Sequence, residues 1–96
     1  MVREIVWSPR SLEDLKSIHE FVANDSLRYA THLIRKIVTI VEGLPQFPMM
    51  GRAVPEFELP HIRERIFGRY RIVYRIRESQ IEILTVHHSS RLLTEV

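Results

Sequence analysis

The 96-residue chain has no cysteine. That excludes disulfides, zinc–thiolate sites and thiol nucleophiles, and it fits a reducing compartment. Lysine is nearly absent as well: of 14 basic residues, 12 are arginine, and only Lys16 and Lys36 are lysine. No apolar run approaches the ~18 residues of a membrane span. "MVREIVWSPRS" carries charges at positions 3 and 4, where a signal peptide needs an apolar stretch. Internal repeats and low-complexity tracts are also missing. These absences predict a cytoplasmic protein without a membrane segment. With 45% apolar residues, the chain has enough to build one core unaided, and residues 1–96 read as a single domain.

The periodicity predicts the order strand, helix, helix, strand, strand, strand. "REIVW" (3–7) is a short apolar strand. Ser8 is a good N-cap, because its hydroxyl can accept from a first-turn amide, and Pro9 suits the first helical position, where a missing N–H costs nothing. Leu12, Leu15, Ile18 and Val22 mark one face of a first helix. "NDS" (24–26) breaks it and supplies the next cap. Leu27, Ala30, Ile34, Ile37, Val41 and Leu44 form the stripe of a second helix, widened by Leu33 and Ile40, which Pro45 ends. The proline-rich loop that follows is long and apolar, with Phe47, Met49, Met50, Val54 and Phe57. From His61 the period changes to two. "HIRERIF", "YRIVYRIR" and "QIEILTVHH" read as strands, with Gly68 and "ESQ" (78–80) at the turns. Short turns imply antiparallel pairing, and a helical hairpin covering one sheet face is the economical α+β solution.

Charge is unevenly placed. Residues 1–51 hold six Lys/Arg and six Asp/Glu, whereas residues 61–77 hold six arginines and only Glu64. Along "GRYRIVYRIRE" (68–78), Arg69, Arg71, Arg75 and Arg77 alternate with Tyr70, Ile72, Tyr74 and Ile76. The second set is expected under the helices and the arginines on the open side. Arg71 and Arg75 could pair with Glu64 and Glu82 in a cross-strand ladder. Six arginines against two such acids leave a surplus, so this face is expected to meet an acidic partner.

Four pieces together resemble the RelE/ParE superfamily of bacterial toxins: "WSPRSLEDLKSIHEFVANDS", "LPQFPMMGRAVPE", "RERIFGRYRIVYRI" and "ILTVHHSSRLL". They span roughly residues 3–93. The resemblance implies a small α+β fold in the order β-α-α-β-β-β, a helical hairpin on a mostly antiparallel sheet. It also implies the toxin of a type II toxin–antitoxin pair, with a cognate antitoxin as partner and a possible hetero-oligomer. Two branches share this fold. RelE-like members cleave messenger RNA on the ribosome, and ParE-like members poison DNA gyrase.

Metal-independent RNA cleavage needs a base, an acid and cations for the phosphate. Here Glu56, Arg65 and His88 are the nuclease candidates, but Ser89 and Ser90 stand where RelE-like nucleases carry a tyrosine, and no tyrosine follows Tyr74. The ParE-like branch is therefore favoured: a gyrase inhibitor without a catalytic site, cofactor or metal. The contact residues expected for target or antitoxin are Arg65, Arg69, Arg71, Arg75, His88 and Arg91. Plainer roles are expected elsewhere. Glu56 reads first as an ion-pair partner of the arginine-rich sheet, and Arg52 as a tie between loop and sheet. His87 and His88, adjacent on a strand, should face opposite ways.

Overall fold

Ser8 and Ser26 open the two helices. The Ser8 hydroxyl accepts from the Ser11 N–H at 3.0 Å and caps α1 (Pro9–Ala23). Ser26 accepts from the Tyr29 N–H at 3.1 Å and caps α2 (Leu27–Gly43). In this computed structural model, residues 2–90, 93 and 94 are described. β1 (Glu4–Trp7) precedes the hairpin, and a 3₁₀ turn (Pro48–Met50), β2 (Arg52–Ala53), β3 (Ile62–Phe67), β4 (Tyr70–Ile76) and β5 (Gln80–His88) follow it. The element order is the expected one, with the two-residue β2 added from within the long loop.

The sheet runs β1-β5-β4-β3-β2. β1 lies parallel to β5, and every other neighbouring pair is antiparallel. Both helices lie on one face. Leu33, Ile37, Val41 and Leu44 of the α2 stripe meet Ile72, Tyr74, Ile81, Ile83 and Val86 in a fully buried cluster, and Leu15, Ile18 and Val22 of α1 close its side. Leu12 and Leu27, assigned to the stripes from spacing, instead lie in the first turns of their helices and stay largely exposed. The other face is not bare. Val54, Ile62, Val73 and Leu93 form a second, smaller core with Phe57 and Leu84, so part of the proline-rich loop roofs the side expected to be open.

A bulge in β5 locks the hairpin to the sheet. Val73 pairs with Thr85 and Tyr74 with Ile83, which leaves Leu84 without an opposite residue. The backbone groups freed there are taken by α1 and its cap. The Ser8 hydroxyl donates to the Leu84 carbonyl at 2.9 Å. One Asp14 carboxylate oxygen accepts from both the Thr85 hydroxyl and the Val86 N–H. Buried backbone polar groups must find partners, and here the N-terminal half of a helix supplies them.

The long loop is tied down through Tyr74. Its hydroxyl donates to the Pro48 carbonyl at 2.7 Å and accepts from the Gly51 N–H at 3.0 Å. A Cβ at Gly51 would sit 2.5 Å from the Glu64 carbonyl oxygen and 2.6 Å from the Tyr74 hydroxyl. Close backbone approach, rather than an unusual φ, is what requires glycine at this position.

Candidate functional site

Register decides which arginines share a face. β3 and β4 are joined by a two-residue turn, Gly68–Arg69, so Phe67 pairs with Tyr70 and Arg65 with Ile72. Gly68 has φ of 58°, which suits the first central position of such a turn. Directly paired residues point to the same side of a sheet. Arg63 and Arg65 therefore share the helix-covered side with Tyr74 and Ile72, and Arg71 and Arg75 lie on the other. The expected single arginine face is corrected: the cations divide between both faces, and Arg69 belongs to the turn rather than to a strand.

On the side away from the helices, Arg71 is buried, 5% exposed, instead of pointing to solvent as expected. Its Nε donates to Glu64 Oε1 at 2.6 Å. Its two terminal nitrogens donate to Glu56 Oε2 and Oε1, each at 2.7 Å, the paired geometry that arginine and carboxylate favour. Glu64, with its side chain fully buried, also accepts from Arg52 Nε at 2.7 Å. Glu56 also accepts from the Leu93 N–H at 2.9 Å, which fastens the chain beyond β5 to the loop. The result is a row of alternating charge, Arg52–Glu64–Arg71–Glu56, at the floor of a shallow cavity of about 320 Å³ also lined by Pro55, Ile66 and Ser89.

This wiring sets the chemistry. The Arg71 hydrogen bonds hold the Glu56 carboxyl well down, at about 2, aided by the Leu93 amide and opposed by burial. The Arg71 guanidinium is correspondingly raised, chiefly by its bonds to Glu56. A carboxylate with so little proton affinity is a poor general base near neutral pH. The roles read from sequence as plainer ones fit here: Glu56 is an ion-pair partner, Arg52 ties loop to sheet, and the Arg71–Glu64 and Arg75–Glu82 pairs are both present, the latter at 3.5 Å. Arg77, placed on the strand from sequence, lies just past its end and shares Glu82 at 3.1 Å.

The three nuclease candidates are not brought together. Glu56 belongs to the side away from the helices. Arg65 belongs to the helix-covered side, where its Nε is buried with no hydrogen-bond partner among the described residues. His88 pairs with Tyr70 and meets its ring edge-on at 5.9 Å between centroids. Its Nδ1 lies 2.8 Å from Ser90 Oγ and accepts from the Ser90 N–H at 3.2 Å. His87 is the buried member of the adjacent pair and lies opposite Arg71, so the two histidines do face opposite ways. Arg91 lies outside the described residues. Among the described residues, no group of three or more His, Asp or Glu side chains is placed to hold a metal ion, and no helix is long and apolar enough to cross a membrane. Asp14 was not singled out from sequence, and Tyr74 was expected only as a residue under the helices, where it lies. Tyr74 carries a weak signal, one of two phenol hydroxyls in the inward row that also holds Ile72 and Ile76; Asp14 carries none.

Known proteins share this fold. Residues 5–93 match the family model described as the ParE toxin of the type II toxin–antitoxin system, parDE. Among curated relatives, Toxin RelE2 of Caulobacter vibrioides is 26% identical over 90 residues, covering 93% of this chain and 98% of the relative. Among solved structures, the chromosomal ParDE toxin–antitoxin system of P. aeruginosa superposes with a TM-score of 0.75 at 22% identity, covering 91% of this chain and 96% of that one. The RelBE2 toxin–antitoxin complex of Mycobacterium tuberculosis gives 0.68 at 21%, covering 92% and 99%. At these identities the two structures establish a shared fold.

Proposed function

The chain belongs to the ParE toxin family of type II toxin–antitoxin systems, and from that premise we propose that it stops growth by binding DNA gyrase and is neutralised by a cognate antitoxin. One observation carries the choice of branch. Glu56, the only loop carboxylate among the nuclease candidates, is saturated by Arg71 and the Leu93 amide, and Arg65 lies across the sheet from it. A cleavage site needs base, acid and cation around one phosphate, and these side chains do not converge. A binding protein needs no such convergence, only displayed surface. Arg69 is exposed at a turn tip and forms no ion pair among the described residues, so it suits contact with an acidic partner.

The second reading, a ribosome-dependent messenger-RNA endonuclease, is favoured by the likeness to a protein named Toxin RelE2. Two assays separate them. Purified protein added to gyrase and plasmid DNA is expected to block supercoiling and trap cleaved DNA, while message in a translation reaction stays intact. Undisturbed supercoiling overturns the gyrase assignment. Message shortened at A-site codons establishes the endonuclease in its place.

A further inference from the structure

The two helices differ in charge. α1 carries Arg10 and Lys16 against Glu13, Asp14 and Glu20; α2 carries Arg28, Arg35 and Lys36 against Glu42 alone. The α2 cations stand together. Ala30, Leu33, Ile37 and Val41 are the buried residues of that helix, and its 3.6-residue turn puts Arg28, His32 and Arg35 on the opposite, outward side. Lys36 stands at the edge of this row, and all four side chains are exposed. Arg28, Thr31, His32 and Arg35 line a shallow cavity of about 470 Å³, with Leu27 at its N-terminal end. His32 lies ~6 Å and Arg35 ~10 Å along the axis from Arg28. The acid Glu42 comes only seven residues after Arg35, two turns further on. Among the described residues none of these cations forms an ion pair, in contrast to Arg71, which the chain neutralises itself.

We infer that the outward face of α2 binds the phosphate backbone of duplex DNA, the DNA that gyrase itself holds. The inference rests on the gyrase reading and adds to it a second contact, made to the nucleic acid rather than to the enzyme. A straight row of cations suits this partner. Duplex DNA carries one negative charge per ~1.7 Å of its axis, so a row ~10 Å long meets several phosphates in any register. Arg28 and Arg35 can each grip a phosphate through two N–H groups. The Thr31 hydroxyl adds a donor of the kind that phosphate contacts use, and the His32 imidazole supplies an N–H even when neutral. Two features select a duplex over other acidic partners. A protein partner needs an apolar or aromatic centre to bury, and here Leu27 is the one apolar residue in the cavity lining and stands at its end. A single strand needs aromatic platforms for its bases, and no Phe, Tyr or Trp lines this cavity. The acid excess of α1 confines the track to α2.

The test follows the fluorescence anisotropy of a labelled DNA duplex of about 30 base pairs and arbitrary sequence, titrated with the full chain at about 50–200 mM salt. Two double variants remove the same charge from different helices: Arg28→Gln/Arg35→Gln from α2 and Arg10→Gln/Lys16→Gln from α1. All four side chains are exposed, so thermal melts should match the parent. The parent is expected to bind with a Kd of about 10⁻⁴–10⁻⁶ M, and its log affinity should fall against log salt with a slope of about −2 to −3. The α2 pair should weaken binding about tenfold or more and flatten the slope by about 2. The α1 pair should stay within about threefold, with the parent slope. No binding by the parent, parent-like binding by the α2 pair, or equal losses for both pairs overturns the inference. So does an RNA duplex or a polyglutamate chain that binds at least as tightly and is lost with the same α2 pair, because the face then belongs to another polyanion. The supercoiling assay is read separately. A parent that blocks supercoiling yet binds no duplex leaves the gyrase reading standing without the DNA contact. Undisturbed supercoiling beside α2-dependent duplex binding overturns the gyrase reading and supports the contact.

Discussion

The two faces of the sheet are held by different physics. Toward the helices the core is apolar: Ile37, Val41, Ile72 and Ile83 are all fully buried, and the favourable term is area removed from water. On the opposite face a smaller apolar core of Val54, Ile62, Val73 and Leu93 lies beside the buried charge row centred on Arg71. An apolar face tolerates imperfect partners, since each methylene counts separately. A buried ionic row does not, because removing one member leaves the others desolvated and unmatched. The side of the molecule with the more obvious chemistry is thus the one where charge is consumed internally, and surface left for a partner must be sought elsewhere.

Arg71→Ala breaks this comparison most sharply. It leaves the fully buried Glu64 with only the exposed Arg52 and removes the paired contact of Glu56. The expected loss is about 3–5 kcal/mol, typical of stranding a buried charge, read as a lower urea midpoint. Ile83→Ala on the helix side is expected to cost about 2–5 kcal/mol through cavity formation alone. The two differ in rescue. Replacing Arg71, Glu64 and Glu56 together with apolar residues of similar volume should recover most of the loss, as it does for other buried ion networks. A triple variant no more stable than Arg71→Ala would show that the row carries geometry that apolar packing cannot replace.

Acid separates the faces next. The Glu56 carboxyl is held at about 2 against an ordinary value of 4.5. A group whose proton affinity is lower in the folded chain stabilises it at any pH above the unfolded value, and that contribution fades as pH falls from about 5 toward 2. Allowing for water at the open rim of the cavity, the loss is about 1–2 kcal/mol. Stability measured across that window should fall more steeply for the parent than for Glu56→Gln, which has no such proton to bind. Equal slopes would mean that Glu56 is not engaged by Arg71 in solution. The apolar contacts on the helix side contribute nothing to this slope, because no titrating carboxylate belongs to that cluster.

Much of the architecture was legible because each signal was local. Ser8 with Pro9, the α2 stripe ending at Pro45, and the change of period at His61 each depend on neighbours a few residues away. What was not legible depends on register. Arg65 and Arg71 are both odd-numbered, which within one strand would place them together. The two-residue turn at Gly68–Arg69 pairs Arg65 with Ile72, and equal parity then means opposite faces. The bulge at Leu84 acts likewise: it shifts the phase of β5, so Val86 and His88, not Thr85 and His87, continue the row begun by Ile81 and Ile83. Glu56 was readable as an ion-pair partner in general, but its choice of Arg71 depends on how the loop from Val54 folds back over β4. No periodicity encodes that path.

The smallest expected effect sharpens the comparison from its other end. Arg77 is half exposed and shares Glu82 with Arg75. Removing it leaves the acid a remaining partner and strands no buried group. The backbone carbonyl of Arg77, which accepts from Arg3 Nε at 2.6 Å, is untouched by a side-chain change. Arg77→Ala should therefore cost no more than about 0.5 kcal/mol, as for exposed ion pairs generally, and less again in high salt. A urea midpoint indistinguishable from the parent would set this edge apart from the Arg71 row a few residues earlier on the same segment. A loss above about 1.5 kcal/mol would mean that the rim arginines couple to the buried row as one network. The distinction drawn between consumed and available cations would then have to be redrawn.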